Sequence, residues 1–128
     1  MDLACPDCGR TYADRWHCEC GAPLAFADQP LPSVESRGKA VVDPRDGLWT
    51  FEEFLPVGAA AEDRVTLGEG YTPLVEAPDW DATFKLEYVF PTGSFKDRGA
   101  TTTLTRANEV GADRVVEDSS GNAGAAIA

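Results

Sequence analysis

Lysine is scarce in this chain: only Lys39, Lys85 and Lys96 occur, against eight arginines. Histidine and methionine appear once each, as His17 and Met1, and no cysteine follows Cys20. No stretch reaches the roughly 18 consecutive apolar residues of a membrane span. The start, MDLACPDCGR, has neither the basic end nor the apolar run of a secretory signal. These absences predict a cytoplasmic protein. Positive charge is also in deficit, with 11 basic residues against 22 acidic and a net charge of −11. Such a surface repels nucleic acid and anionic membranes, so neither is expected as a partner. The carboxylates are scattered rather than blocked, which reads most simply as solubility.

What is present is concentrated. The four cysteines follow C-x2-C-x9-C-x-C, as Cys5, Cys8, Cys18 and Cys20. Two close pairs separated by one short hairpin can place four thiolates around a Zn²⁺ ion. Gly9 and Gly21 follow the pairs and permit the tight turns that this needs. Disulfides are the weaker reading, because a C-x-C bridge is strained and the compartment is reducing. A redox C-x-x-C needs a strand leading into it, and the fifth residue of the chain offers none. The second pair as a vestige stays open. Four thiolates complete a tetrahedron, so His17 reads as a surface residue and the zinc as structural. Its loss is expected to unfold about the first 25 residues and, because a linker follows, to leave the rest untouched.

Residues 28–67 form that linker or arm, rich in proline, glycine and mixed charge. Within it, Trp49, Phe51, Phe54 and Leu55 give one apolar side to a short helix ending before Pro56. From residue 68 the texture changes. LGEGYTPLVEAP reads as a loop feeding a short strand. TFKLEYVF alternates, with Phe84, Leu86, Tyr88 and Phe90 on one side and Lys85 and Glu87 on the other, which predicts a strand.

After PTG, Ser94 and Asp97 have capping-box spacing. They predict a helix from Phe95 to about Val110, with Ala100, Leu104, Ala107 and Val110 on its inner face and Gly111 as its stop. Lys96 then lies in the first turn, where the helix dipole disfavours a cation. An amine held there is expected to lose its proton more easily and to suit attack on a carbonyl. Taken alone, Lys96 reads as simply as a surface lysine paired with Asp97 or Glu87. The next segment shifts that balance. A short strand, Arg114–Asp118, leads into Ser119-Ser120-Gly121-Asn122 and a second helix start. Strand and helix alternate, so the fold class is α/β. Functional loops in such folds follow the carboxyl ends of strands, and both loops lie there. The second has hydroxyls and amide groups suited to a carboxylate or phosphate.

GEGYTPL, KLE, PTGSFKDRG and SSGNAG, in this order and spacing, resemble the threonine synthases, a branch of the fold-type II pyridoxal-phosphate family. CPDCG…CECGAPL and LWTFEEFLP are similar to the front end of archaeal and bacterial members. The resemblance implies a zinc ribbon over residues 1–27, an arm over 28–67, and over 68–128 the start of a three-layer αβα fold. It implies that Lys96 carries pyridoxal 5′-phosphate and moves protons, and that Asn122 binds the cofactor's 3′-oxygen. Ser119, Ser120 and Gly121 would hold the carboxylate of a small phosphorylated amino-acid substrate, while Thr92, Gly93 and Ser94 shape the turn. The implied reaction takes O-phosphohomoserine and water to threonine and phosphate. A dehydratase, a β-replacement enzyme or a non-catalytic zinc-ribbon remnant are the alternatives. Phe90 stands where the family usually has asparagine, which puts the shape of that loop in question. The family's later phosphate-binding loop is not in these residues, so the chain reads as an amino-terminal fragment, truncated within the fold and expected to be inactive alone.

Overall fold

The structure is a computed structural model that describes residues 2–13, 15–28, 44–58 and 60–128. At the amino end, β1 (Leu3–Ala4) lies between β2 (Thr11–Tyr12) and β3 (Ala25–Phe26), antiparallel to both. Leu3 is opposite Tyr12 on one side and Phe26 on the other. A two-residue strand therefore does lead into Cys5, contrary to the sequence reading. An antiparallel turn follows it, not a helix, so the redox context is still missing.

The segment Pro44–Phe54 is helical but of the tighter 3-10 kind, broken at Gly47 and Phe51. Leu48 and Trp49 are buried, whereas Phe51 is 39% exposed. The expected single apolar side is thus divided by the break. Its cause is a backbone crossing. Leu48 N–H donates to the Glu69 carbonyl at 2.9 Å. A side chain at Gly47 would overlap the Glu69 carbonyl, and one at Gly70 would overlap the Leu48 nitrogen. Gly47 (φ 54°) and Gly70 (φ 134°) also hold conformations that disfavour other residues.

β4 (Leu74–Ala77) and β5 (Ala82–Lys85) form an antiparallel hairpin in which Leu74 faces Lys85. The turn between them passes through Asp81 in the left-handed region, φ 48°. The expected strand over residues 83–90 stops at Lys85, and Glu87–Val89 is a 3-10 turn. Alternation of apolar residues there did not specify a strand, because Glu87 is pulled out of line by partners described below. Of the four apolar positions only Phe90 is buried.

Helix α1 runs from Lys96 to Glu109. Ser94 Oγ accepts the Lys96 N–H at 3.2 Å, as a cap should. The expected reciprocal bond from Asp97 is not made; its carboxylate instead takes the Thr92 N–H at 2.9 Å and the Thr92 hydroxyl. The helix ends as expected at Gly111, φ 70°. Gly111 N–H reaches the Asn108 carbonyl and Ala112 N–H the Ala107 carbonyl, each at 2.9 Å. Its inner face differs from the expected one. Asp97, Ala100, Thr101 and Thr105 are buried, while Val110 is 44% exposed. The neighbour on that face is backbone, which needs hydrogen-bond partners. Val65 N–H donates to Thr105 Oγ1 at 3.0 Å, and Thr101 Oγ1 donates to the Val65 carbonyl at 2.5 Å.

Residues 114–118 form no strand. They are unpaired and exposed, Val116 at 82%. A strand exists only with a neighbour to complete its ladder, and none of the described residues lies beside this one. Helix α2 (Asn122–Ile127) packs against α1. The described residues are mixed α and β, with two small antiparallel sheets and no parallel pair. The expected three-layer αβα sheet is not assembled among them. Among the described residues no helix is long and apolar enough to cross a membrane.

Candidate functional site: four thiols and a lysine-bearing helix start

The two cysteine turns share one construction. In the first, Gly9 N–H bonds the Cys5 carbonyl and Cys5 N–H the Arg10 carbonyl, at 2.9 and 2.8 Å. In the second, Gly21 N–H bonds the Cys18 carbonyl and Cys18 N–H the Ala22 carbonyl, both at 2.9 Å. Gly9 and Gly21 have φ of 71° and 93°. The turns differ by the one extra residue between Cys5 and Cys8.

Folded together, they bring the four sulfurs within 4.8 Å of one another. Cys5 and Cys20 lie 3.5 Å apart, as do Cys8 and Cys18, and all four cysteines are free. A metal–sulfur bond of about 2.3 Å gives tetrahedral sulfur–sulfur edges of about 3.8 Å. The cluster matches that scale and could bind a metal.

The thiols are in electrostatic conflict without a cation. The Cys20 backbone N–H and the Tyr12 hydroxyl pull Cys18 down to about 6. Cys20 is pulled down by the Ala22 backbone, yet the sulfurs of Cys18 and Cys5 outweigh this and push it up to about 12. One thiolate forms readily and then opposes the next, which a divalent cation would relieve.

At the second site, the turn Phe90–Gly93 closes through a Gly93 N–H bond to the Phe90 carbonyl, 2.8 Å. Gly93 has φ 78°. Lys96 follows at the start of α1, exposed, with its amine 4.5 Å from the Phe95 ring centre. No carboxylate pairs with it among the described residues. Asp97 is turned into the Thr92 backbone and hydroxyl. Glu87 is held by the Arg98 fork, Nε to Oε2 at 2.8 Å and Nη2 to Oε1 at 3.0 Å. Both anions that would make Lys96 an ordinary paired surface lysine are therefore engaged elsewhere. Lys85 differs: its amine donates to the Thr72 carbonyl at 3.0 Å.

Ser119, Ser120, Gly121 and Asn122 are exposed in the loop that opens α2. Ser119 Oγ accepts the Gly121 N–H at 3.2 Å, and Ser119 N–H donates to Glu117 Oε1 at 3.0 Å. A side chain at Gly124 would overlap the Ser119 carbonyl, so small residues let α2 start tightly against the loop. Helix packing connects α1 and α2, but no hydrogen bond joins the Lys96 turn to this loop among the described residues. A cavity of about 180 Å³ lies between the two helices and residues 65–69. It borders Asp97 and Glu69, and neither Lys96 nor the 119–122 loop lines it.

Sequence reasoning passed over Thr72 and Arg98, and considered Glu87 only as a strand residue and a candidate partner of Lys96. Thr72 Oγ1 donates to Glu87 Oε1 at 2.5 Å, and Arg98 Nη2 reaches Thr72 Oγ1 at 3.3 Å. The Arg98 guanidinium also lies 4.8 Å from the centre of the buried Phe90 ring. Phe90, the departure from the expected asparagine, supplies that face. The available signal was that these residues sit in GEGYTPL, KLE, PTGSFKDRG, three separate motifs. Arg98 first, then Thr72, hold the Glu87 carboxyl down to about 2, against an ordinary 4.5. A depressed carboxyl stabilises the fold when ionised, so its contribution is complete above pH 4.5 and is lost as pH falls from there through about 2. The melting temperature of Glu87→Gln should thus fall below that of the parent at neutral pH. The two should converge as the pH drops through that window; a gap independent of pH would show that the carboxylate charge is not what holds the clasp.

Comparison with known proteins gives a consistent picture. Residues 65–128 match the family model described as "Pyridoxal-phosphate dependent enzyme". A threonine synthase of Methanocaldococcus jannaschii is 35% identical over 97% of this chain and 33% of its own length. One of Methanosarcina acetivorans is 36% identical over 98% of this chain and 33% of its own length. A third, from a Synechocystis species, is 42% identical over 62% of this chain and 22% of its own length. The chain thus spans about a third or less of these curated relatives. No solved structure gives a significant match.

Proposed function

Since the chain belongs to the pyridoxal-phosphate-dependent enzyme family, we propose that it is the lysine-bearing part of a threonine synthase-like lyase. The enzyme would convert O-phosphohomoserine and water to threonine and phosphate. The observation that carries this is the state of Lys96. It is the exposed amine beside the PTGS turn, and both neighbouring carboxylates are already engaged. The donor set fits the cofactor, since an unpaired amine is what a pyridoxal aldehyde requires.

When bound, the cofactor supplies an electron sink for a carbanion beside the substrate amino group. The chain's own residues do the rest. Lys96 would hold the cofactor, and its amine would take and return the proton at the carbon beside the substrate amino group. Asn122 would hydrogen-bond the cofactor's 3′-oxygen. Ser119, Ser120 and Gly121 bind the substrate carboxylate with hydroxyl and backbone N–H groups.

Cys5, Cys8, Cys18 and Cys20 hold one structural Zn²⁺; with four protein ligands no position is open for substrate. Residues 1–27 are the ribbon, 28–67 the arm and 68–128 the cofactor-bearing part, in a cytoplasmic enzyme whose reducing surroundings suit four free thiols. The test is to add pyridoxal phosphate, reduce with borohydride and map the modified peptide by mass. A phosphopyridoxyl group on Lys96 is expected. The same group on Lys39 or Lys85, with Lys96 bare, overturns the assignment.

A further inference from the structure

We propose that Arg98 is a positioning residue for Lys96, acting through its fork on Glu87; this rests on the reading that Lys96 carries the cofactor. The two residues share the first turn of α1, two positions apart. Whatever fixes Arg98 fixes the turn that presents the amine. Arg98 is fixed from three sides: by both oxygens of Glu87, by Thr72 Oγ1, and by the face of Phe90. Thr72 precedes β4, Glu87 follows β5, and Phe90 opens the PTGS turn. One guanidinium therefore ties the hairpin, the turn and the helix start together.

The clasp also decides where charge goes. Glu87 spends both oxygens on Arg98 and Thr72, and Lys85 spends its amine on the Thr72 carbonyl. Of the two lysines near the clasp, only Lys96 has no oxygen partner among the described residues. Arg98 thus orients the reactive lysine and withholds the nearby anion from it. A lysine at position 98 cannot do both, since an ammonium cannot place two parallel donors on a carboxylate.

The test uses the rate at which pyridoxal phosphate labels Lys96, fixed by borohydride and mapped by mass, with Lys39 in the same sample as the internal reference. Arg98→Met should lower the Lys96 rate relative to Lys39 by about tenfold or more, as expected for a displaced reacting group. Arg98→Lys should restore little of it. Thr105→Val removes a buried hydroxyl further along the same helix. It should lower the melting temperature and leave the Lys96 rate unchanged, which separates positioning from mere stability. Should Arg98→Met not fold, Glu87→Gln is similar in size but sets an amide NH2, a donor, against one Arg98 N–H, and should still lower the rate several-fold by breaking one prong of the fork. Parental labelling of Lys96 in folded Arg98→Met or in Glu87→Gln overturns the proposal, as does an equal loss in Thr105→Val. If the parent itself is labelled elsewhere and not on Lys96, the functional reading has failed before the clasp is tested.

Discussion

Replacing Lys96 by alanine is expected to abolish covalent attachment of pyridoxal phosphate and the visible absorbance band that goes with it. In an assembled enzyme, turnover should fall by at least about 10²-fold, the lower range for losing a positioned proton-transfer group. On the proposed function the same residue would supply both the attachment and the base, so no neighbour could replace it. Asp97 is buried on Thr92, and Glu87 is held by Arg98. Lys85→Ala should have a far smaller effect. Its amine supports the Thr72 carbonyl at 3.0 Å, so the change loosens one contact of the clasp and removes no reacting group. Absorbance spectra and steady-state rates of the two variants decide the matter. Full cofactor attachment in Lys96→Ala would transfer the role to another lysine.

Removal of the metal should have the second large effect. Among the described residues of 2–28 the buried ones are Cys5 and Cys18. The proposed ribbon shows no apolar core among those residues, and its three strands are two residues each. Metal binding would supply most of its folding free energy, on the scale of about 10–16 kcal/mol for structural zinc at neutral pH. Chelation should therefore unfold the ribbon. The effect should not stop at the linker, as the sequence alone led us to expect. Arg106 Nη2 of α1 donates to the Ala13 carbonyl at 2.7 Å. Phe26 of β3, Pro56 and Val57 line one cleft with Thr102, Thr103 and Arg106 of α1. Hydrogen exchange should rise across the ribbon and also, by a smaller factor, over the carboxyl half of α1. Cys8→Ser should reproduce both changes. Stoichiometric zinc retained in a Cys5→Ser/Cys20→Ser double variant would refute the four-thiolate site, and unchanged exchange in α1 would show that the ribbon is independent after all.

Several features were legible because they are local. Two cysteine pairs, each followed by a glycine, define tight turns whose geometry depends on a handful of adjacent atoms. Gly9 and Gly21 adopt the positive φ that their positions implied. The ends of α1 were legible for the same reason. A serine hydroxyl reaches a nearby amide, and a glycine at position 111 accepts the left-handed turn. The family, too, was readable from short motifs in order, as the matching family model and relatives bear out.

Tertiary structure decided what depends on a distant partner. Alternation over residues 83–90 predicted a strand, but Glu87 lies in the reach of Arg98 and Thr72 and the chain turns to meet them. The apolar periodicity of α1 pointed to Ala100, Leu104, Ala107 and Val110; Ala100 is buried, yet a peptide backbone lies against that helix and selects Thr101 and Thr105 in place of the other three. Val115 and Val116 have the composition of a strand, and without a paired neighbour among the described residues they form none. In the sequence, Lys96 was a cation at the disfavoured end of a helix, with two carboxylates near enough to claim it. Only the folded chain shows both carboxylates committed elsewhere, because hydrogen-bond partners are chosen by proximity in space, and residues 72, 87, 92, 97 and 98 meet only once the chain has folded.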